Sequence, residues 1–327
     1  MNEKDCVLKV NNLHVHYITD EADVAAVNGI SFELGKGDTI GLVGETGAGK
    51  TTTAMAIMNL IPDPPGVIQA GEIYFNGKNM LENTEKENQK IRGNGISMIF
   101  QDPMTALNPT MTIGKQLMEV IRRHNNVSKA EAERQAKEML EIVGVKSDRF
   151  NDYPHQFSGG MKQRVVITMA LLCHPDLLIA DEPTTALDVT IQAQVLEIIA
   201  DLQHKYNMSI ILITHDLGVV AEICRRVAVI YAGEIVEMGT VRDVYLNPRH
   251  PYTKGLFDSI PQLDSETDKL IPIEGLMPNM ANPPSGCYFH PRCKYCQEIC
   301  TKEAPPLSGG DHVFKCHFPL EERSVPV

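Results

Sequence analysis

No stretch of these 327 residues approaches the ~20 consecutive apolar positions that a bilayer-crossing helix needs. A membrane span is therefore not expected, and any membrane role would come through a partner. The opening residues, Met1-Asn-Glu-Lys-Asp-Cys6, have no apolar core and do not form a secretory signal, so the chain is expected to stay in the cytosol. Basic residues are in deficit: 30 Lys and Arg stand against 42 Asp and Glu, a net charge of −12. Broad binding to nucleic acid or anionic lipid needs basic patches, and no nucleic-acid partner is expected. Internal repeats and low-complexity tracts are also missing. What remains, 43% apolar and 22% charged, is ordinary for a globular protein with room for one large domain and a smaller one.

The most informative segment is Gly44-Glu-Thr-Gly-Ala-Gly-Lys-Thr-Thr52, a phosphate-binding loop of the GxxxxGK[ST] kind. An apolar run, Asp38 to Val43, precedes it as a strand, and Thr51 to Leu60 follows as a helix stopping before Pro62. Strand, Gly-rich loop and helix are the context the motif requires. Backbone N–H groups of Gly44, Thr46, Gly47, Ala48, Gly49 and Thr52 would face a nucleotide's phosphates, helped by the helix start. Lys50 would reach the terminal phosphates, and the Thr51 hydroxyl would hold Mg²⁺.

Strand-like alternation fills the first forty residues, with Leu13, Val15 and Tyr17 on one face and Ile30, Phe32 and Leu34 on another. Strands are also expected at Glu72–Phe75, followed by an Asn76-Gly77 turn, and from Ile96 into Gln101. From about Asp102 to Cys173 the pattern is helical. Ser128-x-x-Glu131 is a capping box there, and Ala132, Ala136, Met139, Leu140 and Val143 recur at helical spacing before Gly144. The α/β pattern resumes with Leu177-Leu-Ile-Ala-Asp181, a strand ending in acid and followed by Glu182. Asp188 can cap a helix burying Ile191, Val195, Ile198, Ile199 and Leu202. Ser209 to Thr214 is a further buried strand, ending at His215, and Val227–Tyr231 with Glu234–Met238 reads as a hairpin. Such alternation implies a largely parallel sheet covered on both faces. Beyond about Val241 the chain becomes loop-rich: twelve of the twenty prolines lie at Pro248 or later.

Two further patterns carry chemistry. Asp181 is placed to fix Mg²⁺, and Glu182 to orient an attacking water. Phe157-Ser158-Gly159-Gly160-Met161 opens a helix whose N-cap is Ser158 and whose bare N–H groups can meet an anion. Of eight cysteines, Cys6, Cys173 and Cys224 are isolated and expected as small core residues. Cys287, Cys293, Cys296, Cys300 and Cys316 fall within thirty positions, which in a cytosolic protein points to metal rather than disulfides. His290, His312 and His317 are expected as surface or packing residues.

In this order, from Tyr17 to His215, the motifs resemble the nucleotide-binding subunit of an ABC transporter. The Phe-Ser-Gly-Gly-Met form of the signature and the string Asn247-Pro-Arg-His-Pro-Tyr-Thr-Lys-Gly255 resemble the dipeptide/oligopeptide importer branch, with the nickel importers as near relatives. The fold class implied is an α/β P-loop NTPase with an antiparallel β subdomain, a helical subdomain and a loop-rich, Cys-containing extension. Its domains would be 1–240, with the helical part at about 102–173, and 241–327. By resemblance Gln101 is the Q-loop residue on Mg²⁺, Asp188 belongs to the D-loop, His215 contacts the γ-phosphate and Tyr17 stacks on adenine. Ser158, Gly159, Gly160 and Met161 would complete an ATP site on an opposing subunit. The expected partners are a second ATPase subunit, forming a heterodimer, two membrane permease subunits and, indirectly, an extracytoplasmic peptide-binding protein. The chain would then sit peripherally on the cytoplasmic face of the membrane and hydrolyse ATP to power peptide import. A nickel importer ATPase and a soluble ABC ATPase are the alternatives. The cysteine spacing is similar to an iron–sulfur site in some of these ATPases, implying that Cys287, Cys293, Cys300 and Cys316 hold a 4Fe–4S cluster. Zinc, with the Cys293-x-x-Cys296 pair, remains an open alternative on ligand chemistry.

Overall fold

The structure, a computed structural model, describes residues 5–101, 103–184, 188–259 and 272–321. Asp102 lies outside these, as do Ala186 and Leu187, which with Asp188 make up the expected D-loop. The chain forms two compact units interleaved in sequence: Met1–Val7, Leu34–Thr39 and Asn76–Ile213 make the first, and Leu8–Glu33, Ile40–Phe75 and Thr214–Val327 the second. The strands are β1 (Cys6–Ile18), β2 (Asp23–Gly35), β3 (Thr39–Val43), β4 (Gly66–Phe75), β5 (Lys78–Asn79), β6 (Ile96–Ile99), β7 (Leu177–Asp181), β8 (Ser209–Ile213), β9 (Arg226–Tyr231), β10 (Glu234–Thr240), β11 (Leu307–Ser308) and β12 (Val313–Lys315).

In the first unit β6, β7 and β8 run parallel, with Ile96 opposite Leu177 and Leu177 opposite Ser209. All five residues of β7 and of β8 are buried. Their apolar runs fit a sheet covered on both faces, because an alternating strand would leave one face wet. The helical part comprises Ile113–His124, Lys129–Ile142 and Gly159–Leu171. Ser128 caps the second of these by accepting from the Glu131 N–H, and Ala132, Ala136, Met139 and Leu140 form its buried face. In the helix Val189–Tyr206 the buried apolar residues are Val195, Leu196, Ile199 and Leu202. The expected Ile191 and Ile198 are only half-buried.

In the second unit β1 pairs antiparallel with β4, Leu8 opposite Phe75 and Tyr17 opposite Gly66, and β2 flanks β1. A second set runs β11-β12-β10-β9-β3. There β3 and β9 are parallel, while β9 and β10 form the expected antiparallel hairpin. The helix after the Gly-rich loop, Lys50–Ile57, is shorter than the sequence suggests. Asn59 adopts φ 50° and ends it, three residues before Pro62. Among the described residues no helix is long and apolar enough to cross a membrane.

The loop-rich extension is anchored by a buried carboxylate. Glu237 on β10 is fully buried. It accepts from the backbone N–H groups of Arg249 at 2.7 Å and His250 at 2.8 Å, and His312 Nε2 lies 2.7 Å from it. His312 is thus a packing residue tied to the core, one of the two roles expected of it. His250 is itself buried, and desolvation pushes its imidazole down to about 4. The neutral ring caps the helix Pro251–Asp258, its Nδ1 accepting from the Tyr252 N–H at 3.0 Å. Glu237→Ala strands those donors in the interior and should cost about 3 kcal/mol. Glu237→Gln, which keeps an acceptor, should cost less. Denaturant unfolding at neutral pH measures both.

Candidate functional site

The Gly-rich loop lies in the second unit. Thr46 and Gly47 form its exposed crest, whereas Ala48, Gly49 and Lys50 are buried beneath it. Gly47 sits at φ 82° and Gly49 at φ 103°, left-handed conformations that side chains resist. Gly49 is the N-cap of the helix and offers no side-chain acceptor, so the first-turn N–H groups remain available to an anion. Lys50 Nζ donates to the carbonyls of Gly44 at 2.7 Å and Glu45 at 2.9 Å, holding the ammonium inside the loop. The β9–β10 turn braces the loop from below. Gly233 N–H donates to Ala48 O at 2.9 Å, and Asn28 Nδ2 donates to Ala232 O at 3.0 Å. Half-buried Tyr17 stands on β1 with its ring over Gly66, where a Cβ would come within 3.1 Å of Cε1. His215 is exposed just before Asp216, which caps the helix Leu217–Ile223.

Gln101, Asp181, Glu182, the Ser158–Met161 segment and Asp188 lie in the first unit. Asp181 closes β7 and is 3% exposed. Glu182 turns the chain at φ 47°, a left-handed backbone of the kind stored at functional sites. Its N–H donates to Ile213 O at 2.8 Å, which fixes the turn against β8. The carboxylate accepts from Gln101 Nε2 at 3.0 Å, so two residues 81 positions apart in sequence meet.

Ser158 caps the helix Gly159–Leu171 by accepting from Met161 N–H at 3.4 Å. Gly144, Ser158, Gly159, Gly160, Met161, Arg164, Asp188 and Ile191 line an open depression there. A Cβ on Gly160 would lie 2.7 Å from Ile191 Cγ2, whereas one on Gly159 would meet nothing within 4 Å. The first-turn amides are thus offered to whatever enters. Asp188 caps the helix Val189–Tyr206, accepting from Ile191 N–H at 3.0 Å. Gln163, buried on the same helix as Met161, donates to the Pro183 carbonyl and ties this helix to the turn carrying Glu182.

Cys287, Cys293, Cys300 and Cys316 line one small cavity, with His290, His317, Phe289 and Tyr295 in its wall. Cys296 is exposed and is not part of that wall. The Cys287 N–H donates to Cys300 O at 2.9 Å, and Cys293 N–H donates to His290 O at 3.2 Å. Burial, reinforced by the neighbouring thiols, pushes Cys287 and Cys293 up to about 11 and raises Cys316. They stay neutral thiols until a cation displaces their protons. Among the described residues no three His, Cys, Asp or Glu side chains are arranged to hold a metal ion. The four sulfurs share a cavity without closing on a point. Of the isolated cysteines, Cys224 is buried and pushed up to about 12, while Cys6 and Cys173 are half-buried.

One cluster escapes sequence reasoning. Arg292, in the extension, forms a two-pronged ion pair with Glu45 of the Gly-rich loop, Nη1 to Oε2 at 2.7 Å and Nη2 to Oε1 at 3.0 Å. Tyr252 OH accepts from the Glu45 N–H at 2.9 Å. The His250-Pro-Tyr252 string was the only hint, and it gives no partner.

Residues 27–185 match the family described as ABC transporter, and residues 236–300 match the oligopeptide/dipeptide transporter C-terminal region. The dipeptide transport ATP-binding protein DppD of Bacillus subtilis is 51% identical, over 95% of this chain and 94% of its own length. The oligopeptide transport ATP-binding protein OppD of the same organism is 53% identical, over 92% of this chain and 85% of its own. OppD of Salmonella typhimurium is 49% identical, over 97% and 95%. Among solved structures, a dimeric ATP-binding cassette in a post-hydrolysis state, bound to ADP and Pi, superposes with a TM-score of 0.65 at 25% identity, covering 72% of this chain and 99% of that one.

Proposed function

This chain belongs to the ABC-transporter ATPases, in the branch of dipeptide and oligopeptide transport ATP-binding subunits, and from that premise we propose how its residues divide the work. It is an ATPase that powers peptide import. The peptide reading is preferred to nickel because relatives at 51% and 53% identity are named for dipeptide and oligopeptide transport. A soluble ABC ATPase is disfavoured by the transporter-type C-terminal region at 236–300.

The loop Gly44–Thr52 and Lys50 hold the triphosphate of ATP, with Tyr17 against the adenine. Thr51, Gln101 and Asp181 serve Mg²⁺, which neutralises developing charge on the phosphoryl oxygens. Glu182 orients and deprotonates the attacking water, and His215 contacts the γ-phosphate. A second ATPase subunit's triphosphate is met by Ser158, Gly159, Gly160 and Met161, with Asp188 alongside, because a phosphate loop alone leaves one face of the γ-phosphate without donors. The observation that carries this reading is the hydrogen bond from Gln101 to Glu182. It joins the residue expected on Mg²⁺ to the residue expected to orient the attacking water.

Two permease subunits, a heterodimeric ATPase pair, a peripheral place on the cytoplasmic face and the division at 1–240 and 241–327 complete the proposal. Cys287, Cys293, Cys300 and Cys316 are assigned to a 4Fe–4S cluster. The donor set fits: four thiols in one apolar-walled cavity suit a soft polynuclear centre, and the exposed Cys296 lies outside it. The cluster would staple an extension that has few regular elements, a structural role. Phosphate release measured with reconstituted permease subunits and a peptide-loaded binding protein tests the transport assignment. Stimulation is expected, and a rate indifferent to both would overturn it.

A further inference from the structure

The Glu45–Arg292 contact has no part in the assignments above. Arg292 has a side chain 5% exposed, on a segment with little core of its own. Its remaining donors are used as well: Nε donates to Glu274 O at 2.9 Å and Nη2 to Ile273 O at 3.3 Å, and the guanidinium lies 5.8 Å from the Tyr231 ring centroid. Glu45 is the second residue of a loop built to receive a polyanion, so a free carboxylate there would oppose binding. A like charge roughly 8 Å away, at an effective dielectric of about 30, costs about a factor of ten in affinity. The fork of Arg292 removes that charge and fixes its direction. Tyr252 takes the Glu45 N–H, so the loop's second peptide is turned into the protein and the later N–H groups are left for the ligand.

We infer that Arg292, supported by Tyr252, is a positioning residue for ATP: it neutralises Glu45 and orients the phosphate loop from the C-terminal extension. This rests on the ATP-binding reading. It gives the extension a role in nucleotide affinity.

The test uses the full-length chain, Mg²⁺ and a methylanthraniloyl derivative of ATP, whose fluorescence is excited at wavelengths that protein side chains do not absorb. R292Q should weaken binding about tenfold, and E45Q alone by less than about threefold. The double variant R292Q/E45Q should return to within about threefold of the parent. Because R292Q and the double variant share any disturbance next to Cys293, recovery isolates the Glu45 charge. Should R292Q fail to fold, R292K, which keeps the charge but loses the fork, should weaken binding by an intermediate factor. Parent-like affinity in R292Q, or in R292K when R292Q does not fold, would overturn the inference, as would a double variant as weak as R292Q. A parent that binds no nucleotide would instead remove the ATPase reading itself.

Discussion

Glu182→Gln should reduce steady-state phosphate release by at least about 100-fold, the lower range for removing a positioned general base, while ATP remains bound. The geometry makes this substitution unusually clean. Gln101 Nε2 donates to Glu182 Oε2, and an amide oxygen at the same place can still accept. The left-handed turn at φ 47° and the bond to Ile213 O are backbone features that Gln inherits unchanged. What disappears is the negative charge proposed to polarise the attacking water. Nucleotide retention on gel filtration, read beside phosphate release, separates this from a binding defect. Turnover equal to the parent would show that another group serves the water.

The second large effect concerns the cysteines. Anaerobically purified protein should be brown, with visible absorbance bleached by dithionite and with iron and acid-labile sulfide in proportion. Replacement of Cys287, Cys293, Cys300 or Cys316 by Ser should each abolish the chromophore, because in the proposed assignment each would supply one of four thiolates. Cys296→Ser should keep it, since Cys296 is exposed and outside the shared cavity. Loss of the centre should also lower the melting temperature, since it would staple Cys287 and Cys293 to the strand-side Cys316. Colourless protein carrying zinc, lost in Cys296→Ser, would replace the cluster with a zinc knuckle.

Local grammar made much of this molecule legible. The apolar strands β7 and β8, the Ser128 and Asp188 caps and the β9–β10 hairpin follow from short-range rules, and each is found where the sequence places it. The phosphate loop and the Ser158 helix tip are likewise contiguous strings. Long-range polar contacts were not legible. Glu237 looks like any acid in an alternating strand, yet three groups from the extension converge on it. For His312 the sequence leaves surface and packing roles open, because nothing in its neighbourhood names a partner 75 positions away. Arg292 carries no sequence signal of its role, because pairing across 247 positions leaves no periodic trace. Burial of Ile191 and Ile198 was overestimated for a related reason: helical spacing gives a face, and only packing decides how wide the buried stripe is.

The bracing of the phosphate loop has a consequence for biosynthesis. Glu45 is made early, but its supports at Tyr252 and Arg292 lie 207 and 247 positions downstream. A nascent chain still on the ribosome therefore carries its nucleotide loop without those supports through most of translation. Contacts of such sequence separation form late and slowly, so seating this loop belongs among the last folding events, after release of the C-terminal region.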